Sequence, residues 1–140
     1  VATGYRPARW GRAFAIGMGA LSIALMLAGC GGGAATTVTQ DDNNTTVTIT
    51  QGSRLIVLLD ARPGAFLWEL EDLDQNILEF KRKQLIETDQ PSRYGGNSHR
   101  ELIFHARGPG TTRLTLEFAS LEEDDDEIAD SFELTVVVEP

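Results

Sequence analysis

A chain of 140 residues with 21 acidic and 12 basic side chains carries a formal charge of −9, and every acid follows Cys30. Beyond that cysteine nine bases oppose the twenty-one acids, so this portion carries −12, which argues against a nucleic-acid partner and against electrostatic docking on anionic lipid. Cys30 is the single cysteine, so the roughly 100 residues left after a leader and tether must hold together as one domain through a packed core, without disulfides or thiolate chemistry.

The chain opens with Arg6, Arg9 and Arg12 and no acids, followed by an apolar run over 13–27 broken only by Gly17, Gly19 and Ser22, and then Leu27-Ala28-Gly29-Cys30. Basic, apolar and then small residues at a cleavage point is the layout of a secretory signal. Its glycines make a poor membrane-spanning helix. The tetrapeptide is similar to the lipobox of bacterial lipoproteins. That resemblance implies removal of residues 1–29, a thioether-linked diacylglycerol on Cys30, and a membrane held through the lipid anchor, with each buried methylene contributing ~0.8 kcal/mol. Gly31 in place of Asp favours, by the same resemblance, the outer membrane of a two-membrane cell envelope, facing periplasm or surface. Residues 30–44, rich in Gly, Ala, Thr, Asp and Asn, read as a lipidated flexible tether, leaving 45–140 as the folded domain.

From there period-two patterns dominate. Thr45 to Thr50 alternates apolar and hydroxylated residues, and after the turn Gln51-Gly52-Ser53 the stretch 54–60 (RLIVLLD) is short and apolar enough for a buried strand. Phe66, Trp68 and Leu70 share one face with Glu69 and Glu71 opposite, which predicts core positions for both aromatics. Leu78 and Phe80, then Leu102 and Phe104, continue the alternation. Gly108-Pro109-Gly110 marks a turn before Leu114, Leu116 and Phe118, and Phe132, Leu134, Val136 and Val138 form the last strand. Seven or eight short strands without an amphipathic helix predict an all-β fold, an immunoglobulin-like antiparallel β-sandwich. The longest strand-free stretch, 84–98, carries Pro91, Gly95 and Gly96 and is expected to be a long loop at one end, where sandwiches usually bind partners.

No catalytic constellation is present: the sequence has no Gly-x-Ser-x-Gly, no free thiol once Cys30 is lipidated and no cluster of metal ligands, so neither an enzyme nor a metal or cofactor is expected. His99 and His105 lie six apart. They read as exposed strand histidines, because no cysteine and no clear carboxylate partner completes a site around them. The run Glu122 to Glu127 is wholly acidic but lacks the glycine and alternating spacing of a calcium loop, so it reads as a solvated hairpin, with calcium binding the competing reading.

The order of elements over 45–138 resembles the chagasin-type inhibitors of papain-like cysteine peptidases. A strand ends in a Pro/Gly loop that leads into Phe66-Leu67-Trp68, a long loop carries Gly95-Gly96, and Leu114-x-Leu116-x-Phe118 is followed by a loop and Phe132-x-Leu134-x-Val136. The resemblance implies an immunoglobulin-like sandwich whose three loops at one end form a wedge that fills the peptidase cleft. The first loop is Ala61-Arg62-Pro63-Gly64-Ala65 where the family reads Asn-Pro-Thr-Thr-Gly. The second, Arg93-Tyr94-Gly95-Gly96, keeps the Gly-Gly of Gly-x-Gly-Gly but not its first Gly. The third, Ala119-Ser120-Leu121-Glu122, lacks the Arg-Pro-aromatic motif. The peptidase-contacting residues so implied are Arg62, Pro63, Gly64, Ala65, Tyr94, Gly95, Gly96, Asn97, Ser120, Leu121 and Glu122. Pro63 and Gly64 suit a rigid tight turn, and Tyr94 suits an aromatic anchor. The alternative is a non-inhibitory envelope binding or assembly module on the same sandwich.

Overall fold

The computed structural model describes residues 33–62, 64, 66–122 and 127–140. The expected leader, Cys30, Pro63, Ala65 and the centre of the acidic run lie outside the described residues. Eight strands follow in order: β1 (Ala35–Thr39), β2 (Thr45–Thr50), β3 (Arg54–Asp60), β4 (Phe66–Asp72), β5 (Leu78–Glu87), β6 (Ser98–Ala106), β7 (Gly110–Ser120) and β8 (Ile128–Glu139). They form two four-stranded sheets, ordered β1-β3-β6-β5 and β2-β8-β7-β4. Gly32–Pro140 is one compact unit.

The alternation read from the sequence is what closes the two sheets on each other. Leu55, Val57 and Leu59 of β3 and Leu102, Phe104 and Ala106 of β6 face inward from one sheet. Leu114, Leu116 and Phe118 of β7 and Phe132, Leu134, Val136 and Val138 of β8 face inward from the other, and none of these thirteen is more than 2% exposed. Complete removal of the valine, leucine and phenylalanine side chains among them from water contributes about 1.5–3 kcal/mol each, which is how a domain without a disulfide holds. Trp68 is fully buried as expected, while Phe66 is half-buried at the end of the core.

Three boundaries differ from the sequence expectation. Ala35–Thr39, placed in the tether by its composition, is a strand paired parallel to β3, from Ala35 opposite Arg54 to Thr39 opposite Leu58. Only Val38 of β1 is buried, so backbone pairing rather than a hydrophobic pattern makes this strand, and composition could not reveal it. A single 3₁₀ turn (Gln40–Asp42) capped by Thr39 then carries the chain across to the second sheet. There β2 pairs parallel to β8, so the sandwich is not purely antiparallel. Finally, β5 runs to Glu87, shortening the long loop to 88–97, and β8 starts at Ile128, well before its first core residue.

The registers set the two ends apart. Asp60 pairs with His99, Ile86 pairs with His99, and Phe66 pairs with Ser120. The described parts of the first (61–65), second (88–97) and third (121–127) loops therefore share one end. The turns at 51–53, 73–77 and 107–109 lie at the other, tied by Gly52 N donating to Ala106 O and Arg107 N donating to Ile77 O. Since β1 runs parallel to β3, the chain enters the sandwich at the end opposite the three loops.

Candidate functional site

At the loop-bearing end an aromatic stack is the foundation. Phe118, near the end of β7, packs against Trp68 (centroids 4.9 Å apart), Phe66 (5.4 Å) and Tyr94 of the second loop (4.7 Å). The Trp68 indole N–H donates to Asp60 O at 2.8 Å. A donor buried on the second sheet is thereby satisfied by the last residue of β3 on the first, which fixes where the first loop begins.

A set of charges rests on this stack. Asp60 Oδ2 accepts from both the backbone N (3.2 Å) and the Nε (3.1 Å) of Arg93, and Asp60 Oδ1 lies 3.2 Å from His99 Nε2. The Arg93 guanidinium reaches Asp130 Oδ2 at 3.6 Å, and the Tyr94 hydroxyl donates to the same oxygen at 2.6 Å. Gln40, just beyond β1, accepts from Asp60 N at 2.9 Å and donates to Asp130 Oδ2 at 3.4 Å. Asp60, Arg93 and Asp130 thus tie the start of the first loop, the second loop and the start of β8 into one unit. Hydrogen bonds to ionised groups are stronger than neutral ones.

Backbone bonds shape the second loop itself. Ser92 N donates to Gly96 O at 2.8 Å and Gly95 N donates to Ser92 O at 3.0 Å. The buried Ser92 hydroxyl donates to Ala61 O at 2.9 Å, joining this loop to the first. Gly95 (φ 101°) and Gly96 (φ 72°) both occupy the left-handed region, the conformation the tight turn needs and one that side chains disfavour.

Of the residues implied by the sequence resemblance, Arg62, Gly64, Gly95, Gly96, Asn97, Leu121 and Glu122 are exposed at this common end. Arg62 has no ion-pair partner among the described residues, unlike Arg93. Ser120 is half-buried, its hydroxyl accepting from Glu122 N at 3.2 Å. Tyr94 is the notable departure from a free aromatic anchor: its ring lies on Phe118 and its hydroxyl on Asp130, so it positions the loop from behind. His99 departs too, because it is buried rather than exposed (4%), with Nδ1 3.1 Å from both Thr88 Oγ1 and Asn97 O. Sequence reasoning missed Gln40, Asp60, Arg93 and Asp130 as a group. The one available signal is that Asp60 and Asp130 are acids next to apolar strand cores, at points where a strand meets a loop.

Burial, then the bond to Asp130 and its negative charge, hold the Tyr94 phenol above its ordinary value of 10.0. A folded-state value raised above the unfolded one gives stability that is complete below pH ~10 and is lost as pH climbs beyond it. The wild-type chain is therefore expected to be more stable than Tyr94→Phe by about 1–2 kcal/mol at neutral pH. That advantage should shrink steadily above pH ~10. Paired calorimetric melts from pH 7 to 11 check this, and a pH-independent difference would show that the phenol is not linked to folding.

Residues 48–136 match the family profile described as Chagasin family peptidase inhibitor I42. No curated protein matches the chain. Among solved structures, the cysteine protease inhibitor EhICP2 from Entamoeba histolytica aligns with a TM-score of 0.63 at 21% identity, over 74% of this chain and 95% of that one. Amebosin aligns with a TM-score of 0.57 at 20% identity, over 77% of this chain and all of that one (100%). PbICP-C in complex with falcipain-2 aligns with a TM-score of 0.48 at 15% identity, over 76% of this chain and 100% of that one.

Proposed function

The chain belongs to the chagasin family of peptidase inhibitors, and on that premise we propose that its loop-bearing end enters the active-site cleft of a papain-like cysteine peptidase and blocks it by occlusion. The observation that carries this reading is the charge set that ties the first and second loops to the start of β8. An inhibitor that works without chemistry gains affinity by having its binding loops ordered beforehand, because little conformational entropy is then lost on docking.

In this reading Arg62 and Gly64 of the first loop and Gly95 to Asn97 of the second insert next to the Cys-His pair, on which the peptidase depends for its nucleophile. The glycines let backbone approach the cleft wall closely. Arg62, which has no ion-pair partner among the described residues, supplies a cation from the first loop, and Glu122 of the third loop rests on the cleft rim. Lipidation of Cys30 would hold the inhibitor on the cell envelope, an assignment supported by Leu27-Ala28-Gly29-Cys30 and the basic-apolar leader before it.

The test is a titration of papain by the full chain in mild detergent, following hydrolysis of a fluorogenic peptide. Stoichiometric loss of activity is expected, weakened at least tenfold by Arg62→Glu. Full activity at micromolar excess of folded protein would point instead to a binding module on the same sandwich.

A further inference from the structure

Among the described residues three large apolar side chains are exposed, and two of them, Leu121 (51%) and Ile128 (51%), flank the same hairpin. Ala119 pairs with Ile128, and Leu67 of β4 pairs with Ala119. Side chains alternate along a strand, so Leu67 and Ala119 share the outer face of the second sheet with Ile128, and the exposed Leu121 follows one residue past the end of β7. Leu67 and Ala119 are half-buried there. Leu67, Ala119 and Ile128 thus form an apolar row across three strands, with Leu121 at the start of the third loop next to it in the chain. Carboxylates border it. Glu69 and Glu117 pair with each other one step further along the same face, Glu69 with Lys83 Nζ 3.7 Å away, and Glu122 follows Leu121 on the loop side.

A register shift in β7–β8 between Phe118 and Ala119 builds this patch. It leaves Ala129 as the extra residue between Asp130, opposite Phe118, and Ile128, opposite Ala119. Bulges of this kind re-aim a side chain locally. Here Asp130 still serves the Arg93 and Tyr94 contacts, while Ile128 stands out in solvent.

We propose that Leu67, Ala119, Leu121 and Ile128 are a second docking surface, which seats an apolar, base-rimmed flank of the target peptidase beside its cleft. This rests on the inhibitor reading above and assigns to the third-loop side a contact that does not need the missing Arg-Pro-aromatic motif. Two observations favour the peptidase as occupant. The patch lies at the same end as Arg62 and Gly95-Gly96, and the Glu117 and Glu122 carboxylates at its border call for a basic partner surface. Apolar side chains at the centre of such a patch carry most of the association energy, with the charged border governing rate and selectivity.

The deciding experiment compares the full chain with Leu121→Ser/Ile128→Ser in papain inhibition. Both side chains are exposed, so melting temperature is expected to stay within a degree or two. The inhibition constant is expected to rise roughly 10- to 100-fold. Equal inhibition by the two proteins would overturn the docking surface while leaving the inhibitor reading intact. Absence of inhibition by the wild-type chain would overturn the inhibitor reading and the surface with it. A wild-type dimer in sedimentation that the double variant abolishes, with inhibition unchanged, would assign the patch to a second copy of the chain and overturn the proposal.

Discussion

Phe118→Ala is expected to destabilise the domain by about 3–5 kcal/mol, the range for truncating a buried aromatic, and to lower the melting temperature by on the order of 15–25 °C. Phe118 is 1% exposed and is the one ring that touches Phe66, Trp68 and Tyr94 together. Its removal opens a cavity and also strips the second loop of its platform, so the loop should become mobile well below the melting temperature. Calorimetry gives the first quantity, and amide exchange at Gly95 and Gly96 relative to core strands gives the second. Phe118→Leu restores part of the volume without the ring stack, and is expected to recover stability more completely than loop protection. Equal recovery of both would mean that any apolar filler supports the loop.

Asp60→Ala is the second large effect. The carboxylate accepts two bonds from Arg93 and faces the buried His99 ring. Its loss leaves both partners without the acceptor around which they are arranged, and hydrogen bonds to charged groups are worth about 1.5–3 kcal/mol. Half of the Arg93 side chain is exposed (48%), so water compensates part of that loss, and about 2–3 kcal/mol in total is expected. Because the first and second loops lose their common tie, papain inhibition is expected to weaken beyond any change in the folded fraction at 25 °C. A urea melt and an inhibition assay on the same preparation separate the two effects. Unchanged inhibition by a measurably destabilised Asp60→Ala would show that the loops keep their shape without the tie.

Much of this architecture was legible in the residues. Wherever a strand has one wet and one dry face, as in Leu114 to Phe118 or Phe132 to Val138, the period-two pattern located both the strand and its buried face. It failed for β1, where four of five residues stay at least partly exposed and only the ladder with β3 defines the element. The loop end was legible in its glycines but not in its charges. Gln40, Asp60 and Asp130 lie up to 90 positions apart, and no spacing rule brings them together. Only the sheet register does, by setting the end of β3 beside the start of β6 and the start of β8 beside the end of β7. Tyr94 shows the same limit, because a lone aromatic beside Gly-Gly fits an outward anchor and an inward prop equally well from sequence.

The parallel pairing of β1 with β3 also has a mechanical consequence. A pull applied upstream of Gly33 and resisted by a partner gripping the opposite end would run lengthwise along β1. The five residue pairs from Ala35–Arg54 to Thr39–Leu58 would then be loaded in shear and share the force together, instead of being peeled open one at a time. A strand that contributes little to the core would thereby act as the strain relief of the molecule, allowing the sandwich to stay folded while tugged between a surface behind it and a captured protein in front.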